Sequence, residues 1–201
     1  MIDRIGEKIK GFLLKPVETF RGVRDEEISP TLGYFIVLLI FYGLLSGIIS
    51  ALGVMRNPLP SMLNLGLGQA DPVITFLTVF FSVVIVWLFM LLIWGLWLHL
   101  WVLVVGGRKG LWQTEKAVLY GSTPFLLIGW IPVIGLVLGG LWAIVLQILG
   151  IRELQELSTT KAILALIIPF VIIFVVLILI LAWLFVAVVS SGMVPIQYTQ
   201  Y

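Results

Sequence analysis

The sequence predicts an all-α, polytopic membrane protein, in which amphipathic helices on the membrane surface precede a bundle of transmembrane helices. Of its 201 residues 61% are hydrophobic and only 11% are charged, whereas a soluble domain is roughly 45–50% apolar and about 25% charged. The charges are segregated, so that long uncharged stretches alternate with short charged ones. The apolar stretches lack the alternation of a β-barrel, and a bilayer requires every backbone polar group to be paired, so helices are expected.

Five spans are predicted from the positions of these apolar stretches. The first two follow a helix-start signal, since Ser29 precedes Pro30 and Asp71 precedes Pro72. The third has only about 15 apolar residues, fewer than the ~20 that a full crossing needs, so it either crosses a thinned bilayer or forms a re-entrant hairpin with the fourth. We take the crossing as the working hypothesis. The spans are residues 32–55, 73–105, 117–131, 133–151 and 162–189, within a membrane domain of residues 31–201.

Residues 1–30 form a charged N-terminal segment. Ile5, Ile9 and Phe12 recur at helical spacing, which predicts an amphipathic helix on the membrane surface, followed by a second short helix that begins at Pro16. The segment lacks the apolar core and cleavage site of a signal peptide, so the first span is expected to direct insertion. A basic turn at residues 106–110 is expected to touch anionic lipid rather than bind phosphate. The predicted membrane-surface residues of the segment and the turn are Ile5, Lys8, Ile9, Phe12, Arg108 and Lys109.

Lysine and arginine are distributed unevenly between the two sides of the predicted bundle. Alternate assignment of the loops places eleven of the twelve on one side and leaves Arg56 alone on the other. The positive-inside rule then predicts a cell-membrane protein with a cytoplasmic N-terminus and an extracytoplasmic C-terminus. A re-entrant hairpin gives the same count, so charge does not distinguish the two forms of the third span.

Residues that could carry chemistry are few. There is no cysteine, and no Asp, Glu, Lys or Arg falls in the central part of a span, which argues against an enzyme and against a proton-coupled transporter. We expect no metal and no cofactor, and a net charge of +2 does not suggest nucleic acid. The single histidine, His99, lies among Trp94, Trp97 and Trp101, and this group predicts an interfacial belt in preference to a proton relay.

Small residues recur every fourth position in two of the spans. This spacing lets two helix backbones approach closely, and packing inside one bundle is favoured over a homodimer face. The residues are Gly43, Gly47 and Ala51 in the first span and Gly135, Gly139 and Ala143 in the fourth.

Several stretches resemble the core of the Yip family, the Ypt/Rab-interacting membrane proteins. They are Gly107-Arg-Lys-Gly-Leu-Trp through Ala117-Val-Leu-Tyr-Gly-Ser-Thr-Pro124, then Ile131-Pro132 with Gly135, Leu141-Trp142 and Gly150-Ile-Arg-Glu-Leu-Gln-Glu-Leu-Ser158, with Pro16-Val-Glu-Thr-Phe20 as a lead-in. The resemblance implies five spans with a cytoplasmic N-terminus and, in eukaryotic members, the organisation of vesicle traffic through small GTPases. This chain departs from those members by lacking their long polar N-terminal domain, so whether it binds a small GTPase is left open. Its short length is similar to that of prokaryotic, above all archaeal, members.

The predicted function is that of a non-catalytic adapter or organiser of membrane proteins or lipids, with residues 1–30 as its contact surface. Its expected partners are the lipid bilayer and either another membrane protein or a second copy of the chain. The alternative is a small channel or transporter with a pore around the broken third and fourth spans, since half-spans interrupted at Ile131-Pro132 are typical of transporter sites.

Overall fold

The computed structural model describes residues 2–54 and 71–190 of the chain, and these residues form helices joined by short turns. The all-α class is therefore confirmed. The predicted loop as far as Gln69 and the tail after Ser190 lie outside the described residues. The helices are α1 (Ile2–Leu14), α2 (Pro16–Gly22), α3 (Ile28–Ala51), α4 (Pro72–Val104), α5 (Leu111–Gly121), α6 (Thr123–Ile128), α7 (Ile134–Leu154) and α8 (Thr159–Ser190).

Four of these helices, α3, α4, α7 and α8, are long and apolar enough to cross a membrane. The third predicted span is instead divided between α5 and α6. The division has a local cause, because Pro124 lacks a backbone N–H and two hydroxyls bond back to the preceding turn. Ser122 donates to the Leu119 carbonyl at 2.7 Å, and Thr123 donates to the Tyr120 carbonyl at 2.6 Å.

The predicted helix starts have mixed outcomes. The Asp71 side chain accepts the Val73 N–H at 2.7 Å, which confirms the capped start of α4. Pro16 opens α2, also as predicted. Ser29 is not the capping residue of α3, because that helix already begins at Ile28 and the preceding residue makes no side-chain capping bond.

α3 and α4 pack together as an antiparallel pair. A Cβ atom added at Gly43 would lie 2.8 Å from Val84 Cγ2, and one added at Gly47 would lie 2.8 Å from Phe76 Cδ2. The two glycines therefore face α4 and allow the helix axes to approach. Ala51, one turn later, is half-buried.

α5 and α6 together form an antiparallel hairpin with α7. An added Cβ at Gly121 would lie 3.0 Å from the backbone N of Gln147, and one at Gly139 would lie 3.2 Å from the Cα of Phe125. Gly135 faces Ile128 at the tip of the hairpin, and Ala143 is buried. The small residues of α7 thus line the contact between the two arms.

Candidate functional site

Polar and charged side chains gather at one end of the bundle, where the N-terminal helices lie over α5 and the end of α7. We call this region the platform and define it as residues 2–31, 105–120 and 150–158. It joins three segments that are far apart in the chain. Its geometry decides which surfaces are available to a partner.

Aromatic packing holds α1 and α2 on the bundle. Phe12 and Phe20 are both fully buried, and their ring centroids lie 4.9 Å apart. The Phe12 ring also stacks on Tyr120 of α5 at 4.6 Å and lies 6.1 Å from Tyr34 of α3. The prediction that Phe12 contacts the membrane surface is therefore wrong, because the apolar face of α1 packs against the protein's own core.

Lys8 is also turned inward, toward Glu26 and Tyr120. Its Nζ donates to both carboxylate oxygens of Glu26, at 2.7 and 2.8 Å, and to the Tyr120 hydroxyl at 2.9 Å. Tyr120 in turn donates to Glu26 Oε2 at 2.6 Å. Burial disfavours the charged form of Glu26, but the hydrogen bonds from Lys8 and Tyr120 outweigh it and hold the pKa of that carboxyl below its ordinary value.

Lys116 of α5 fixes the turn that leads from α2 into α3. Its side chain is almost fully buried, and its Nζ donates to the carbonyls of Val23, Arg24 and Glu26 at 3.2, 2.6 and 2.8 Å. An ammonium group has three donors, so all of them are satisfied. The same turn is held from the outside by Gln113, whose amide donates to the Arg24 carbonyl at 2.9 Å.

Ion pairs connect the N-terminal helices to the end of α7. Arg21 Nε donates to Glu153 Oε2 at 2.7 Å. Arg24 pairs with Glu156 Oε1 at 2.9 Å and donates to the Glu153 carbonyl at 2.6 Å. Lys109, in the turn after α4, pairs with the other oxygen of Glu156. Exposed pairs contribute little each, but this network fixes the relative position of three segments.

The predicted belt residues lie at the platform end of α4. The Trp94 indole donates to Gln147 Oε1 of α7 at 3.2 Å, and the rings of Trp97 and Trp101 meet edge to face at 5.6 Å. His99 Nδ1 lies 2.8 Å from the Thr114 hydroxyl of α5. His99 therefore joins two helices of this protein.

The other predicted surface residues occupy two kinds of position. Ile5 and Ile9 are half-buried against the core, whereas Arg108 and Lys109 lie in an exposed turn. Arg108 donates to the carbonyls of Leu103 and Gly107 at 2.8 and 2.9 Å, which orders the turn.

Sequence reasoning missed Lys116, Tyr120 and Glu26 as a connected group. Their partners are about 90 residues away along the chain, a separation at which no local spacing rule applies. One signal was present, because Lys116 directly precedes an apolar run and a lysine at the start of a buried helix needs carbonyl or carboxylate partners.

Glu115 is the one buried carboxylate of the platform for which the described residues supply no hydrogen-bond donor. It is 4% exposed, its Oε2 has no partner, and it lies directly against Gly95 of α4. Burial raises the pKa of the Glu115 carboxyl to about 7. In the unfolded chain the pKa of a glutamate carboxyl is near 4.3. Because the pKa of Glu115 is higher in the folded state, the free energy of unfolding falls as the pH rises from about 4.3 through 7.

We expect Glu115→Gln to stabilise the protein at alkaline pH. At pH 4 and below the variant and the parent should melt together, because the Glu115 carboxyl is then largely neutral in both the folded and the unfolded state. Above pH 8 the variant should be more stable by about 2–3 kcal/mol, since a neutral amide avoids the cost of burying a charge. Thermal unfolding of the detergent-solubilised protein, followed by tryptophan fluorescence, measures the difference. Glu27→Gln, at an exposed position, is the control, and a pH-independent effect of Glu115→Gln would contradict the expectation.

An open cleft of about 630 Å³ lies on the platform between the 24–29 segment and α5. Its walls carry both signs of charge, with Asp25 and Glu27 on one side and Lys109 on the other. Trp112, 57% exposed, is also part of the lining. An exposed tryptophan beside charges of both signs is a composition typical of protein interaction surfaces.

The fold and the platform define a class, the helical integral membrane proteins that carry a structured polar region at one end of the helix bundle. The sequence profile described as Yip1 domain matches residues 10–181. The chain therefore belongs to the Yip1 domain family, as the sequence resemblance indicated, and this family is associated with membrane trafficking. Searches of curated proteins and of solved structures each gave no significant match.

Proposed function

We propose that this protein is a non-catalytic membrane adapter or organiser, and that the platform with its cleft is its contact surface. The observation that carries the proposal is the construction of the platform, in which buried aromatic rings, Lys116 and the Glu26 cluster fix three distant segments as one body. A preorganised surface loses little conformational entropy on binding, which favours recognition of a partner. The contact surface that the sequence predicted, residues 1–30 as a whole, is thereby restricted to the residues that line the cleft.

The distribution of basic residues supports a cytoplasmic platform. Eleven of the twelve Lys and Arg residues lie on the platform side, among them Lys161 at the start of α8. A cytoplasmic platform would present the cleft to soluble and membrane partners alike.

The packing of the hairpin weighs against a pore between the two arms. Ala117 Cβ lies 2.9 Å from where a Cβ of Gly150 would be, and an added Cβ at Gly121 would lie 3.1 Å from the Gln147 Cα. Arms in backbone contact at several levels leave no channel between them in the described part of the chain. The adapter therefore remains the better supported function.

Photocrosslinking from the cleft tests the proposal. A photoreactive residue at position 112 or 27 should capture the same membrane or cytoplasmic protein in cells, whereas one at position 18, exposed on α2 outside the cleft, should not. Glu27→Lys should then lower the yield from position 112 by about tenfold, as the loss of ~1.4 kcal/mol of binding free energy would do. Glu18→Lys is the matched charge control. Capture of lipid alone, or equal capture from position 18, would contradict the adapter function.

Truncation of the N-terminal helices is not a suitable test, because Phe12 and Phe20 are part of the core.

A further inference from the structure

Contacts between α4 and its neighbours give the depth of each helix below the platform. Gly43 of α3 is level with Val84 of α4, and Gly47 is level with Phe76. α3 therefore ends, at Ala51, close to the level at which α4 begins, at Pro72. These two helices reach the same depth on the far side of the bundle.

The hairpin of α5, α6 and α7 is much shallower. Phe125 of α6 packs against Trp87 of α4 with ring centroids 4.8 Å apart, and α6 ends three residues later at Ile128. Its tip, residues 129–133, thus lies just beyond the level of Val84. About 12 residues of α4, roughly 18 Å at 1.5 Å per residue, extend past that level.

The polar groups show where the hydrocarbon region begins. Trp94 bonds to Gln147, and the Glu115 carboxyl lies against Gly95, one residue further toward the platform. From Trp94 to Pro72 the helix is about 33 Å long, close to the ~30 Å thickness of a hydrocarbon core. From Trp94 to Val84 it is only about 15 Å, half of that thickness.

The burial pattern of α8 agrees with this depth, because its buried side chains all lie near the platform. The Phe170 ring meets Trp94 at 4.8 Å, at the start of the hydrocarbon region. The buried residues of α8, Ala162, Ala165, Leu166 and Pro169, all precede it. From Phe170 to Ser190 the described side chains are exposed around the whole helix apart from the half-buried Ala187, and this length is roughly 30 Å.

We infer that α5, α6 and α7 form a re-entrant hairpin that turns back near the bilayer midplane, so that the protein is a wedge whose partner is a bilayer curved convex toward the platform. α3, α4 and α8 cross the far leaflet, whereas the platform-side leaflet also holds both arms of the hairpin. At a diameter of about 10 Å, each arm occupies roughly 80 Å². An inclusion that takes more area in one leaflet fits best where that leaflet lies on the outside of a curve. This inference does not depend on the adapter function or on which side is cytoplasmic.

The depth of the tip can be measured directly, because the chain contains no cysteine and single cysteines can be introduced. In sealed proteoliposomes a membrane-impermeant maleimide should label Lys10→Cys from the platform side and Val54→Cys from the far side. Val133→Cys lies at an exposed tip position, and in intact vesicles it should be protected from the reagent on both sides, because hydrocarbon excludes the reagent. Its labelling rate should be at least about tenfold lower than that of Lys10→Cys or Val54→Cys until detergent is added. Labelling of Val133→Cys from the far side at the rate of Val54→Cys would show a crossing hairpin and overturn the inference.

The wedge has its own readout in the same preparations. External labelling of Lys10→Cys, divided by total labelling in detergent, gives the fraction of molecules with the platform outward. This fraction should exceed one half in small sonicated vesicles and fall toward one half in large extruded ones. An equal fraction at both sizes would overturn the wedge while leaving the depth of the hairpin to be decided by Val133→Cys.

Discussion

Replacing Gly135 by alanine is expected to disrupt the hairpin between α6 and α7. The new Cβ would overlap the carbonyl oxygen of Ile128 and lie 2.8 Å from its carbonyl carbon. Backbone cannot move aside as a flexible side chain can, so the two arms would have to separate at the tip. The expected loss is about 3 kcal/mol, at the upper end of overpacking costs.

Gly140→Ala provides a matched control on the same helix. Its added Cβ would meet nothing within 4 Å, so the higher helix propensity of alanine should leave stability unchanged or raise it by up to about 1 kcal/mol. Thermal unfolding in detergent, followed by circular dichroism, compares the two variants. Equal melting temperatures would show that the arms are not in backbone contact at Gly135.

Phe12→Ala is expected to release the N-terminal helices from the platform. The ring is fully buried among Phe20, Tyr34 and Tyr120, and truncation of a buried phenylalanine costs about 3–5 kcal/mol. The close contacts between α3 and α4 and between the arms of the hairpin do not involve this ring, so the loss should be confined to the platform. Trypsin should then cut after Lys8 or Lys10 in proteoliposomes while the membrane helices remain intact.

The neighbouring Leu14→Ala serves as the control for that experiment. Leu14 is 78% exposed, so its truncation removes little packing and should leave the proteolysis rate unchanged. Equal cleavage rates for the two variants would mean that α1 is held by the ion pair between Lys8 and Glu26 instead of by the aromatic cluster.

Composition and hydropathy were sufficient to predict the class of the fold and four of its long helices. The start of α4 was also predictable, since Asp71 followed by Pro72 is a local signal that does not depend on the rest of the chain. The division between α5 and α6 was harder to foresee. It depends on hydroxyl groups that bond to the preceding turn, and an apolar run looks the same whether or not it is interrupted in this way.

The platform was the least predictable part, and α1 shows why. Its spacing of apolar residues indicates one apolar face but does not say whether lipid or protein covers it. The deciding residues, Phe20 and Tyr120, come from other segments of the chain. The same limit applies to Lys116, whose three acceptors are backbone carbonyls that carry no sequence signature.

The construction of the platform also sets an order of events during synthesis of the chain. α1 and α2 emerge first, but the partners of Arg21 and Arg24 are Glu153 and Glu156, about 130 residues later. Until α7 has been made, the aromatic face of the N-terminal helices has no complete surface to cover it. Long-range contacts of this kind form slowly and leave apolar side chains exposed in the meantime. The nascent N-terminus is therefore expected to rest on the bilayer surface or on a chaperone until the hairpin has been inserted, and only then to fold into place.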